Sequence, residues 1–271
     1  DPVGLAKRQN HGIISSLNDF SSVYLNSANK SNTEGAEMLD VSIPIRTLLV
    51  STLYPSCVRP NHGIFVETRL RELLKSGKVE TAVIAPVPWF PFKQNAFGEY
   101  SQFARTPHFE VRNGIRVFHP RYFLPPKIGI NIAPFTLARS LISQARQIQE
   151  NGFDFDLIDA HYFYPDGVAA TLIGKVLNKP VVITARGTDI NLIPMYAKPR
   201  QMILQATRDC ASMITVCAAL KEALVNLGAP PEKITVLRNG VDLEIFEPED
   251  RLSARSALGI STNFAIASVG H

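Results

Sequence analysis

From residue 45 onward, apolar runs of strand length alternate with segments whose apolar residues recur at helical spacing. "RTLLVST" is a continuous apolar run from Arg46, as expected of a parallel strand covered on both faces. "IFVETRLRELLKSG" follows, with Ile64, Leu70, Leu73 and Leu74 on one helical stripe and Gly77 placed to end it. The same alternation continues through "VETAVIAP", "GIRVFHP", a long helix over roughly Ile130 to Asn151, and "FDLIDAH". It goes on through "DGVAATLIGKVLN", "PVVITA", "PRQMILQATRDC", "SMITVC", "AALKEALVNLG" and "KITVLRNG". This pattern predicts an α/β fold, a doubly wound parallel sheet of about seven strands. Residues that do chemistry then belong in the loops after the carboxyl ends of the strands. Two connections, Pro86 to Asn113 and Pro120 to Gly129, are long and rich in proline and aromatic residues, which marks them as functional or mobile.

After the last strand, "RNGVDLEIFEPEDRLSARSALGI" reads as a turn, an acidic linker and a short helix, and "FAIASVG" as a new strand. The expected division is a leader over 1–42, an α/β domain over 43–245, a linker over 246–262 and the first strand of a second, truncated domain over 263–271. The leader is rich in Ser and Asn and has neither a charged start nor an apolar signal core. It is read as disordered or non-native, with an extra helix around Ile13 to Tyr24 as the alternative.

Composition narrows the classes. The most apolar long stretch, "GVAATLIGKVLNKPVVITA", is interrupted by Lys175, Asn178, Lys179 and Pro180, so it does not read as a membrane span. Cys57, Cys210 and Cys217 match no disulfide or metal spacing, which suits a reducing, cytoplasmic setting. Residues 43–130 hold twelve Lys and Arg against five Asp and Glu, whereas 131–271 hold thirteen against fourteen. A basic first half suits an anionic partner such as phosphate, nucleic acid or an acidic membrane surface, or is an ordinary solvated face.

The loop after the first strand, "STLYPSCVRPNHGIF", has one glycine where a dinucleotide site carries G-x-G-x-x-G, and "VIAP" ends the second strand without a ribose-binding acid. That counts against a nicotinamide or flavin dehydrogenase, and no phosphate-loop signature of nucleotidases occurs either. Gly63, opening a helix after Asn61 and His62, either brings backbone N–H groups to a phosphate or serves only the turn. In "DAHYFYPDG", His161 stands at a strand end where it could bond a sugar hydroxyl or polarise a reacting group, followed by Tyr162. Asp166 is expected to do no more than cap the next helix. In "VVITARGTDINLIP", Arg186 offers a fork for phosphate or carboxylate, and Asp189, past Gly187, could bind two hydroxyls. The alternative is a local cap at Asp189 paired with Arg186. Asn239 and Gly240 are expected to form a tight positive-φ turn, with Phe246 anchoring the segment beyond. In "PVPWFPFKQ", Trp89, Phe90, Phe92 and Lys93 suit the boundary of a bilayer, with Arg69, Arg71, Lys75 and Lys78 on a nearby helix adding charge. Equally, these aromatics could pack against their own long loop.

Taken in order, "LYPSCVRPNHGIFVETRLRELLKSG", "DAHYFYPDGVAATLIGKVLNKPVVITARGTDINLIP" and "ITVLRNGVDLEIFEP" resemble glycosyltransferase family 4, and the likeness runs from about Ile45 to His271. The subfamily it looks most similar to builds bacterial surface polysaccharides. The resemblance implies one Rossmann-like half of a GT-B fold, the acceptor side, with a second domain starting near Asn263 that would carry most of the donor site, including a pair of glutamates. It implies a retaining transferase using a nucleotide-diphosphate sugar and a glycan or lipid-linked acceptor, without metal and without nucleic acid. His161 takes the place of the family's histidine near the transferred sugar, and Gly63 that of the glycine near the donor phosphates. Two departures stand out: "NHG" in place of paired glycines, and Arg186 in place of a histidine before the fifth-strand glycine. Other readings are a sugar-nucleotide epimerase or hydrolase of the same fold, or an acceptor-binding or membrane-surface module that does no chemistry by itself.

Overall fold

The computed structural model describes residues 22–27, 44–126, 128–240, 246, 249–266 and 268. They fall into two compact units, Asp1–Arg238 and Asn239–His271. In the first unit the chain runs through a helical segment at 22–27 (α1), β1 (Ile45–Val50), α2 (Ile64–Lys75), β2 (Val79–Ile84), β3 (Val87–Pro88), α3 (Glu99–Arg105), β4 (Phe109–Arg112), β5 (Ile115–Phe118) and β6 (Arg121–Tyr122). It continues through α4 (Gly129–Glu150), β7 (Leu157–His161), α5 (Val168–Leu177), β8 (Val181–Ala185), α6 (Thr188–Asn191), α7 (Ala197–Asp209), β9 (Ser212–Thr215), α8 (Ala218–Leu227) and β10 (Ile234–Val236).

The main sheet has eight strands in the order β4-β5-β2-β1-β7-β8-β9-β10, and every pairing is parallel except β4 with β5. Counting the parallel strands along the chain, the order is 3-2-1-4-5-6-7, the doubly wound Rossmann-like arrangement, with its direction reversing between β1 and β7. The seven expected parallel strands are all present, and β4 is an eighth on the edge.

The two faces of the sheet differ. Leu48, Val50, Ile158, Ala160, Ile183 and Ala185 join the larger core, which includes α4, α5, α7 and α8 residues. The alternate residues face the other way: Leu49 and Val83 meet Val66 and Leu70 of α2, and Leu157 and Val182 meet Val23 and Tyr24 of α1. Toward the carboxyl end this second face becomes polar, with Asp159, His161 and Thr184 all buried. Period-2 alternation puts Asp159 and His161 on the same side of β7, and Thr184 lies in register beside His161.

The expected leader needs correction within the described residues. α1 is part of the core: Tyr24 is 1% exposed and donates to Asp159 Oδ2 at 2.6 Å, and Ser27 donates to Ser212 at 3.1 Å. Val23 and Tyr24 are the apolar contacts that outweigh the polar composition around them. The other residues of the expected leader, 1–21 and 28–42, lie outside the described residues.

The same dipeptide has two outcomes. Asn113 and Gly114 have φ of 49° and 79° and join β4 to β5 in a two-residue hairpin, as their strand pairing demands. Asn239 and Gly240, expected to turn with positive φ, do not adopt it. They follow the edge strand β10, and no described strand returns to pair with it, so nothing selects the turn. The connection Pro86–Asn113 is likewise more ordered than a loop, since it holds β3, α3 and β4, and β3 pairs with β6 of the second long connection.

In the second unit, α9 (Arg251–Ala257) is capped by Asp250, whose carboxylate accepts from the N–H groups of Leu252 and Ser253 at 3.0 Å each. The strand expected from Asn263 is not formed in the described residues: Phe264 and Ile266 are 77% and 83% exposed, and no strand pairs with them. An apolar run by itself has no neighbour to take its backbone hydrogen bonds.

Candidate active site

His161 ends β7, beside the point where the sheet reverses direction, and is only 2% exposed. Its Nε2 lies 3.0 Å from Asp159 Oδ2, and its Nδ1 lies 2.6 Å from Arg186 Nη2. A guanidinium only donates, so Nδ1 accepts and the ring hydrogen sits on Nε2, donated to Asp159. Burial pushes the imidazole down to about 4, with the Arg186 charge adding to the effect against the pull of Asp159. The ring is therefore neutral at pH 7. Burial alone would raise the Asp159 carboxyl, but its neighbours His161, Arg69 and the Tyr24 hydroxyl hold it well below the ordinary range. The result is a relay in which Tyr24 and His161 both donate to Asp159 Oδ2 and Arg186 covers the outer nitrogen of the ring. Arg186 is half-buried and spans to α2, its guanidinium 5.0 Å from the centre of the Phe65 ring.

The loops around this relay are fixed by two carboxylates. Asp189 is fully buried, and its oxygens accept from Phe163 N at 2.6 Å, Gly187 N at 2.7 Å and Arg186 N at 3.1 Å. This corrects the hydroxyl-binding reading: backbone N–H groups occupy the carboxylate, which ties the β7 and β8 loops together. Gly187, at φ 135°, opens α6, and Tyr162 is held at φ 84° as the chain leaves β7. Asp166 does not cap α5. It accepts from Thr52 N at 2.6 Å and Thr52 Oγ at 2.8 Å, joining the loop after β1 to the loop after β7.

The opening of α2 completes the strand-tip cluster. Gly63 precedes the helix at φ 67°, and a Cβ built on it would lie 2.3 Å from the Leu53 carbonyl oxygen, so the turn requires glycine. His62 Nε2 lies 3.1 Å from the Thr52 carbonyl, while Asn61 is exposed and its carbonyl accepts from Ile64 N at 3.4 Å. Arg69, grouped with Arg71, Lys75 and Lys78 as membrane-facing charge, instead donates to Thr184 Oγ at 3.2 Å on the polar face of the sheet. Lys75 pairs with Glu72 at 2.7 Å on the exposed side of α2.

Sequence reading placed His161, Arg186, Gly63 and His62 at the strand tips, but missed Tyr24, Thr52, Arg69 and Asp159 as parts of the same cluster. For Asp159 the signal was present: D-x-H at the end of a strand puts both side chains on one face. Phe90 and Phe92 belong to a separate aromatic cluster, with Trp89 and Lys93 next to them in the chain, and Asn239 and Gly240 are exposed in the second unit. Among the described residues no helix is long and apolar enough to cross a membrane, and no group of three His, Cys, Asp or Glu is placed to hold a metal.

Burial raises the Asp166 carboxyl to about 7, against the opposing Thr52 hydrogen bonds. A carboxyl that ionises near 3.8 unfolded and about 7 folded binds more protons in the folded state between those values. Its contribution is present at low pH and falls by roughly 4 kcal/mol as the pH climbs through that window. His161 has the opposite sign: depressed below its usual 6.5, it adds stability as the pH rises from about 4 to 6.5. Asp166→Asn is therefore expected to unfold at higher urea than the parent at pH 8, with the gap closing toward pH 4. Parallel urea midpoints at both pH values would show it, and a gap independent of pH would contradict the assignment.

The family model for Glycosyltransferase Family 4 matches residues 63–245. A Bacillus subtilis protein, TuaC, named for a glycosyltransferase role in teichuronic acid biosynthesis, is 27% identical over 227 residues, 82% of this chain and 57% of its own length. A D-inositol 3-phosphate glycosyltransferase of Catenulispora acidiphila is 26% identical over 235 residues, 81% of this chain and 51% of its own. The chain thus spans about half the length of these curated relatives. The crystal structure of Anabaena Alr3699/HepE in complex with UDP-glucose overlaps 81% of this chain and 51% of its own at 16% identity, with a TM-score of 0.47, too loose a likeness to carry weight. With His161, Arg186 and every parallel strand but β1 lying within the matched span, the chain belongs to glycosyltransferase family 4.

Proposed function

We propose that the protein transfers a sugar from a nucleotide-diphosphate donor to a hydroxyl of a glycan or lipid-linked acceptor in surface-polysaccharide synthesis, with retention of anomeric configuration, and that this chain supplies the acceptor-side wall of the cleft. The observation that carries the reading is the neutral His161 at the sheet's reversal point, oriented by Asp159 and covered by Arg186. A departing diphosphate needs cations and N–H donors around its developing charge more than it needs a strong acid. Arg186 and the start of α2 supply that character. When Arg186 engages an anion, Nδ1 of His161 is freed to accept from a sugar hydroxyl. Aligning the two substrates between cleft walls supplies the proximity that transfer requires. Work at the inner face of a membrane suits the exposed Trp89 and Phe92, which are 55% and 48% exposed.

The test is acceptor-dependent release of nucleoside diphosphate by the intact protein, with the anomeric configuration of the product read by proton NMR. His161→Ala is expected to lower kcat by roughly 100-fold, with a circular dichroism spectrum like the parent's. Unchanged turnover would remove His161 from the mechanism. Free sugar or an epimerised donor as the main product would instead favour hydrolysis or epimerisation. An intact protein that binds acceptor but turns nothing over would leave only the binding-module reading.

A further inference from the structure

Tyr24 lies outside the span 63–245 that the family model matches, yet it reaches the strand tip where His161 stands. Its helix, α1, is short. Val23 and Tyr24 pack with Leu157, Val182 and Ile214 on one face of the sheet, and Ser27 donates to Ser212 at 3.1 Å. That packing alone would be served as well by phenylalanine. The hydroxyl adds something else. A buried phenol needs an acceptor, and here the acceptor is Asp159 Oδ2 at 2.6 Å, the same oxygen that takes the Nε2–H of His161 at 3.0 Å. One hydrogen bond leaves a carboxylate free to turn about its Cβ–Cγ bond, whose rotation is soft. Two donors from different elements, meeting on one oxygen, hold it in place.

A competitor for that carboxylate is close by. The charge of Arg69, on α2, acts on both Asp159 and His161, and its guanidinium donates to Thr184 Oγ, in register beside His161. Without the Tyr24 hydroxyl the carboxylate would turn toward this cation, and the Nε2–H of His161 would lose its acceptor for part of the time. The consequence falls on the other ring nitrogen. A neutral imidazole carries one ring hydrogen, so keeping it on Nε2 keeps Nδ1 an acceptor. Arg186 enforces this while it covers Nδ1 at 2.6 Å. Once Arg186 turns to an anion, Asp159 alone does so.

We propose that Tyr24 is a positioning residue of the transferase: it holds Asp159 against His161, so that Nδ1 meets the substrate as an acceptor, and it makes α1 part of the active centre. The inference rests on the transferase reading, but the coupling from Tyr24 to His161 is measurable without turnover. In the 271-residue chain at neutral pH, the Nε2–H of His161 should give a slowly exchanging proton resonance far downfield, identified by its loss in His161→Ala. Tyr24→Phe keeps the ring and its packing. It is expected to move this resonance upfield and to speed its exchange with water at least about tenfold, while the backbone N–H groups of Leu157 and Val182 keep their exchange rates. No such resonance in the parent, a resonance unmoved by the substitution, or one that moves downfield and slows would each overturn the proposal. So would amides that speed up with it, because α1 would then only have come loose. A fluorinated tyrosine at position 24, a stronger donor of nearly the same shape, should slow the exchange instead, and unchanged exchange there would overturn the proposal even where the phenylalanine variant fails to fold. In the intact protein, Tyr24→Phe is expected to lower kcat about tenfold with KM for the donor unchanged. Transfer at the parent rate by this variant would sink the positioning role and leave the transferase reading intact. No transfer by the parent, with the resonance still answering to Tyr24→Phe, would sink the transferase reading alone.

Discussion

Replacing Gly63 by alanine is expected to destabilise the protein by about 3 kcal/mol or more. Two costs add. Placing an L-residue at φ 67° costs roughly 1–2 kcal/mol. The new Cβ would also lie 2.3 Å from a backbone oxygen, that of Leu53, which has no rotamer with which to move aside. Gly77 isolates the first cost, because it has the same φ of 67° but nothing within 4 Å of its would-be Cβ. Urea unfolding of Gly77→Ala should show only the conformational cost, roughly 1–2 kcal/mol. Equal losses for the two variants would mean that the loop after β1 relaxes freely, and α2 would not then be fixed by that contact. The functional consequence follows from the packing. A displaced Leu53 moves Thr52, the partner of Asp166, and the start of α2 that carries Phe65 under Arg186.

Asp159→Ala is the second large effect, expected at about 3–5 kcal/mol. It would leave the Tyr24 hydroxyl and the His161 Nε2–H buried without their acceptor and remove the negative charge nearest to them. Asp159→Asn separates charge from hydrogen bonding. One oxygen, Oδ2, receives both hydrogen bonds, and Oδ1 has no partner among the described residues, so an asparagine can keep its oxygen at the first position and its amide at the second. The asparagine variant should therefore recover about half of the loss. Thermal unfolding of the three proteins tests this, and an asparagine variant as unstable as the alanine one would show that the charge carries the whole effect.

The fold was largely legible because the central strands β7 and β8 are buried at every position, and β1 at all but Arg46, so that they read as apolar runs between helical repeats. What escaped were elements defined by partners far away in sequence. β4 is a four-residue strand whose residues are half-buried or exposed, and it is visible only through its pairing with β5. Tyr24 sits in a polar stretch, and its role depends on a carboxylate far along the chain. At the site, sequence placed His161 and Arg186 correctly at strand ends but could not tell a ligand-facing carboxylate from one consumed by backbone donors. Asp166 and Asp189 are both of the second kind, and only the donors within 3.2 Å of them decide it. The aromatic segment illustrates the same limit, because its rings both pack on one another and remain exposed, where sequence offered the two as alternatives.

The placement of Tyr24 has a consequence for the order of events during synthesis. Asp159 leaves the ribosome 135 residues after Tyr24, and Ser212 follows Ser27 by 185. At typical elongation rates that is a wait of about 10 seconds or longer. Until then the Tyr24 hydroxyl has no Asp159 to bond and Ser27 no Ser212, so α1 is tied down only after the strands that carry these partners have been made.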